Sequence, residues 1–103
     1  LSGVANPLRG EVALLLGGES FVLRPSFQQL VAAEAEVGSL FRLLECAGRG
    51  EVTLTEMGAL FWHCLVQPEA GLARAAFEAR LLAARPGALL APYRQLLAAI
   101  FGG

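Results

Sequence analysis

A chain of 103 residues with eight arginines, nine glutamates, one histidine and a formal net charge of −1 has the length of one domain, and its scattered arginines make no basic footprint for nucleic acid. Its hydrophobic fraction of 55% against 17% charged residues, with a mean hydropathy of +0.57, is high for so large a surface-to-volume ratio, so some apolar surface is expected outside and with it a partner or a homo-oligomer. No stretch approaches the roughly 18 uninterrupted apolar residues of a membrane span, because Glu11, Glu19, Arg74, Glu78, Arg80, Arg85 and Arg94 interrupt the apolar runs; a soluble protein without a membrane partner is expected.

Lysine and aspartate are absent, and the bias toward Ala, Gly, Arg and Pro suggests a GC-rich coding genome. Cys46 and Cys64 sit in apolar helical patterns without the spacing of a disulfide framework, and no secretory leader pattern is visible, so a reducing cytoplasm is expected. The chain reads as a single domain, 1–103, whose first four residues are expected to be an expression or start-codon remnant.

Residues 9–24 read as two strands. Val12, Leu14 and Leu16 alternate with Ala13 and Leu15, Phe21 and Leu23 lie on the returning strand, and Gly17-Gly18 supplies the positive-φ positions of a two-residue hairpin turn. Such a hairpin is not stable alone, so its Val12, Leu14, Leu16, Phe21, Leu23 surface is expected to lie on helices.

The helical part spans 26–101. Ser26 with Gln29 makes a capping box for a first helix running to about Val37, with an expected inner stripe of Phe27, Leu30, Val31 and Val37 and with Gln28, Glu34 and Glu36 toward water. Gly38 stops it, and Ser39 caps a second helix carrying Leu40, Phe41, Leu43, Leu44 and Ala47. After the Gly48-Arg49-Gly50 loop, Thr53 with Glu56 opens a third helix whose inner face is Leu54, Met57, Leu60, Phe61, Cys64 and Leu65, broken at 67–71. A fourth helix from about Pro68 or Leu72 to Ala84 is expected to bury Leu72, Ala73, Ala76, Phe77 and Leu81. The last helix, firm from Pro92 to Phe101 with a start as early as Ala88, carries Tyr93, Leu96, Leu97, Ile100 and Phe101, and Gly102 caps it. The fold class is therefore α+β: an N-terminal antiparallel hairpin on four to five short helices.

Chemistry-bearing residues are few. Gly50-Glu51-Val52-Thr53-Leu54-Thr55-Glu56 imitates the second half of a calcium loop, but the first, third and fifth ligand positions would be Glu45, Ala47 and Arg49, which lack two oxygens and add a cation. His63 and Cys64 are neighbours about 100° apart on a helix, with no partner at ligand spacing. One histidine, no aspartate and no nucleophile elbow give no triad, and neither glycine pair follows a strand into a helix as a nucleotide loop requires. No cofactor, metal or catalytic residue is expected. Trp62 and Val66 form a second apolar edge on the third helix, open to burial against another helix or to a partner; with His63 beside them, and with Phe21 and Leu15 on the hairpin, whose outer strand can pair with another chain, they make up the candidate partner surface.

The stretch Ala5-Asn6-Pro7-Leu8-Arg9-Gly10-Glu11-Val12, entering the strand and its Gly17-Gly18-Glu19 turn, resembles the opening of the gene transfer agent family of small phage-tail proteins. The likeness extends more loosely through Leu23-Arg24-Pro25-Ser26-Phe27, Leu30, Glu34 and Gly38-Ser39-Leu40 to Leu96-Leu97-Ala98-Ala99-Ile100-Phe101-Gly102. The resemblance implies a non-enzymatic component of phage, prophage or gene-transfer-agent tail morphogenesis in a bacterial cytoplasm. Its preferred form is a tail assembly chaperone on the helical tape-measure protein, present transiently in the assembly intermediate. A structural tail tube protein forming rings is the alternative; apart from the resemblance, the calcium-loop imitation at 50–56 leaves a degenerate EF-hand-like binding module as the third reading.

Overall fold

The computed structural model describes residues 5–6, 9–66 and 71–102; the expected remnant at 1–4, the Pro68 helix start and most of the expected break after the third helix lie outside them. The described residues form strands β1 (Val12–Leu16) and β2 (Glu19–Leu23), helices α1 (Phe27–Val37), α2 (Leu40–Gly48) and α3 (Leu54–Cys64), strand β3 (Leu65–Val66), and helices α4 (Arg74–Ala83) and α5 (Pro86–Phe101). The fold is α+β, with an N-terminal hairpin.

The hairpin has the register that its alternation dictates, Val12 opposite Leu23, Leu14 opposite Phe21 and Leu16 opposite Glu19. Gly17 and Gly18 take φ of 57° and 86°, the left-handed pair that a two-residue turn between right-twisted strands demands. Val12, Leu14, Leu16, Phe21 and Leu23 are buried, while Ala13 and Leu15 face out. Ahead of the hairpin, the Asn6 carbonyl accepts from the N–H groups of Arg9 and Glu11, and Glu11 Oε1 accepts from the Asn6 N–H at 2.8 Å. Arg24 Nε donates to the other carboxylate oxygen at 2.6 Å. Glu11 is thereby buried with its needs met, and the Asn6 N–H and the Arg24 guanidinium hold its carboxyl below the usual carboxylate range. Within the lead-in that carries the family resemblance, Asn6 and Glu11 thus form, with Arg24, a clasp on the first strand.

Five residues after Leu60 the chain departs from the sequence reading. Helix α3 stops at Cys64, and Leu65–Val66 pairs antiparallel with β2, Val22 opposite Val66 and Leu23 opposite Leu65, so the sheet has three strands in the order β1-β2-β3. The Arg24 N–H donates to the Cys64 carbonyl at 2.7 Å at the end of this ladder. The reason lies in β2: Val22 is buried and its backbone groups point away from β1, so they need a hydrogen-bonding partner on the other side. Two residues carry too little periodicity to announce a strand.

Each of the first three helices begins where its cap was read. Ser26, Ser39 and Thr53 accept from the N–H groups of Gln29, Arg42 and Glu56. Glu34, expected in water, adds an oxygen to the second start by accepting from the Leu40 N–H at 3.1 Å. The last helix runs from Pro86, earlier than Ala88. Pro86 occupies the first turn, where a missing N–H costs nothing, and Pro92 sits inside the helix at the loss of one backbone bond.

One buried cluster takes side chains from β1, β2 and every helix, including Leu14, Phe21, Ala33, Leu43, Leu60, Phe61, Phe77, Tyr93 and Leu96. Helix α1 packs on α3, α3 on α4, and α5 on β1. Edge-to-face ring pairs, Phe21 with Phe77 at 5.8 Å and Phe61 with Tyr93 at 5.9 Å, join sheet to helix and helix to helix. Burial raises the Tyr93 phenol to about 12.

Candidate interaction surface

Of the residues expected at a partner surface, Leu15 stands outward on β1, 65% exposed. Phe21 does not: its ring is 2% exposed against Phe77, on the inner face of the hairpin, so its assignment to an outer surface is corrected. Trp62 is half-buried, its ring tilted against Phe77 at 5.8 Å. Val66 is in β3 rather than on α3, so it and Trp62 are not successive turns of one helix. His63 is half-buried and engaged in an ion-pair cluster.

That cluster ties three helices together. Glu36 on α1 receives Arg74 of α4 on both carboxylate oxygens and His63 Nε2 of α3 at 2.9 Å. Arg74 Nε also donates to Glu78 at 3.0 Å. The Arg74 and His63 hydrogen bonds depress the Glu36 carboxyl to about 2, and Glu36 in turn raises the Arg74 guanidinium. A fork-on-carboxylate pair holds helix orientation better than a point charge would.

The calcium-loop likeness does not assemble ligands. Glu45 and Ala47 lie within α2, and Ala47 is buried. The Glu56 carboxylate is held by Arg42 at 2.6 Å and Glu51 by Arg49 at 3.2 Å. Among the described residues no group of three or more His, Cys, Asp or Glu is placed to hold a metal ion. The Cys64 thiol is buried, which pushes it up to about 12.

The other outward apolar side chains are on helices, and all but Leu82 belong to the apolar sets read for those helices. Phe27 and Val31 on α1, Phe41 and Leu44 on α2, Leu54 on α3 and Leu82 on α4 are all exposed, Phe27 by 84%, Phe41 by 66% and Leu82 by 74%. On α1 the inner stripe is Leu30, Ala33 and Val37, because the small Ala33 lets the helix approach α3 closely; Phe27 and Val31 are rotated away. Likewise Ala73 and Ala76 are exposed on the α4 side, where Phe77 and Leu81 make the contact. One signal was present in the sequence: on α2 the apolar residues from Leu43 to Phe41 span an arc of roughly 160° at 100° per residue, wider than a single buried face needs.

Leu54, Leu82 and Leu44 border two depressions. Between α3, α4 and α5, adjoining clefts of about 410 and 400 Å³ share Leu54, Leu81 and Leu82, with Arg74 and Glu78 at one end and Leu89 and Leu90 at the other. Between α2 and α5, a furrow of about 360 Å³ is lined by Leu44, Ala47, Gly48, Arg94, Leu97 and Ala98; beyond it the Phe41 and Phe101 rings meet.

The architecture is thus that of a small α+β protein with apolar side chains outward on its helices and, among the described residues, no helix long and apolar enough to cross a membrane. The chain belongs to a phage and gene-transfer-agent tail family: a family model described as phage tail tube protein, GTA-gp10, matches residues 9–103. No curated protein and no solved structure matches it. The match begins at Arg9, so it takes in the hairpin, all five helices and the Glu11 end of the clasp.

Proposed function

We propose that this tail-family protein is a non-enzymatic tail assembly chaperone that covers apolar helical segments of the tape-measure protein before the tube forms. The observation that carries the reading is where the outward apolar side chains are. Phe27, Val31, Phe41, Leu44, Leu54 and Leu82 are on helices, and Leu15 is on a strand. Helical surfaces with shallow furrows suit reversible helix-in-groove contacts. A bacterial cytoplasm, where tails assemble, is the compartment that fits.

A second reading, the tube subunit that the family's description names, is favoured by β1. In a two-residue hairpin the residues flanking the turn form a hydrogen-bonded pair, so with Leu16 opposite Glu19 the backbone groups of Ala13 and Leu15 point away from β2. They form an edge onto which another chain can add a strand. Against it stands the small sheet, with strands of five, five and two residues, which leaves little for the wall of a stacked ring.

Co-expression with the tape-measure protein of the same gene cluster separates the two. A chaperone keeps that protein in the soluble fraction and stays small when alone. A tube subunit leaves it insoluble and forms rings or tubes, visible by electron microscopy, as its own concentration rises.

A further inference from the structure

We infer that the furrow between α2 and α5 is the docking site for an amphipathic partner helix that presents an acidic side chain to Arg94; the inference rests on the chaperone reading and assigns it a surface. Three features of the furrow point to this occupant.

The first is its shape. Phe41 at the start of α2 meets Phe101 at the end of α5, with centroids 4.7 Å apart, while Gly48 at the end of α2 and Arg94 on the inner turns of α5 line the same depression. The two helices therefore run antiparallel, with Leu44 and Gly48 lining the furrow on one side, Ala98 and Arg94 on the other, and the Phe41–Phe101 contact past its end, over about two helical turns. The apolar stripe of a helix repeats at this spacing.

The second is its floor. Ala47, Gly48 and Ala98 carry little or no side chain, so another backbone can come close, and Leu97 beneath is buried. Leu44 supplies the large apolar contact along one wall, and the exposed Phe41 ring stands just beyond it.

The third is charge. Arg24, Arg42, Arg49, Arg74 and Arg80 each hold a carboxylate. Among the described residues Arg9, Arg85 and Arg94 have no such partner, and of these three exposed arginines Arg94 alone lines one of the depressions described above. A cation without a carboxylate at the mouth of an apolar furrow is complementary to an acidic residue at one end of an apolar stripe, and that complementarity fixes the direction of the docked helix. The cleft under Leu54 and Leu82 lacks this feature, since Arg74 at its rim is already held by Glu36 and Glu78.

The test co-expresses the full chain, tagged, with the tape-measure protein of its gene cluster and measures retention for wild type, Ala98→Glu and Arg94→Glu. Both positions are exposed, so the melting curve of each variant should match wild type; if Ala98→Glu unfolds, Arg94→Glu and Arg94→Ala decide. The expected result is at least roughly tenfold weaker retention for the variants, a 1.4 kcal/mol effect. Undiminished retention by both overturns the furrow as the site and leaves the chaperone reading standing. No retention by wild type removes the chaperone reading and the inference with it. Retention unchanged but self-association of the isolated chain abolished by Ala98→Glu gives the furrow to a second copy, and also overturns the inference.

Discussion

Phe41 and Phe101 touch ring to ring, with centroids 4.7 Å apart and planes at 43°, yet Phe41 keeps 66% of its surface in solvent. The contact ties α2 to the end of α5 without burying the ring, so Phe41 contributes little to folding. Phe41→Ala is expected to lower stability by no more than about 1 kcal/mol, whereas Phe61→Ala, which removes a fully buried ring in contact with Tyr93, should cost about 3–5 kcal/mol. Urea denaturation of the two variants checks this. A Phe41 cost equal to that of Phe61 would mean that the α2–α5 face is core rather than surface.

Acid should weaken the three-helix cluster around Glu36. Its folded value of about 2 lies below the ordinary 4.5, so the native state binds the proton less readily than the unfolded one. The stabilisation is present above about pH 4.5 and is lost as pH falls toward 2. Melting temperatures measured from pH 6 to pH 2 should fall more steeply for wild type than for Glu36→Gln, which no longer titrates there. The size is modest, because the pair is partly open to solvent, and parallel acid profiles for the two proteins would refute it.

The two thiols should react at separate rates. Cys64 is fully buried with its thiol pushed up to about 12, while Cys46 is half-buried. A thiolate is the reacting form, so Ellman's reagent at pH 8 should modify Cys46 first and Cys64 only on unfolding. Cys46→Ser should remove the fast phase. Two fast thiols would mean that α3 opens readily.

Gly58 lies inside α3, and a methyl group added there would meet Leu81 Cδ1 at 3.5 Å, an ordinary contact. Gly58→Ala therefore gains helix propensity without a clash. It should raise stability by about 0.5–1 kcal/mol, read from the denaturation midpoint. A loss of stability would mean that α3 and α4 sit closer than the Gly58–Leu81 distance allows.

What the sequence made legible follows from how local each signal was. The hairpin register is fixed by alternation and by two adjacent glycines, both within a dozen residues. The helix starts at Ser26, Ser39 and Thr53 depend on a hydroxyl and the N–H three residues on. Strand β3 was not legible, because Leu65–Val66 is extended only to satisfy the backbone of β2, a demand set by tertiary packing. The inner face of α1 was misread for a related reason: size singled out Phe27 and Val31, whereas close packing on α3 selects Ala33. The interaction surface suffered most. Exposure is a property of what remains uncovered after packing, so Phe41, Leu44 and Leu54 look like core until the other helices are in position, and Phe21 looks available until Phe77 covers it.

The most direct test of the central claim is the light-scattering mass of the complex purified after co-expression with the tape-measure protein. A soluble particle carrying several copies of this chain per tape-measure molecule is the predicted result. A tape-measure protein that stays insoluble, beside a chain that forms rings or tubes by itself, would contradict the chaperone account.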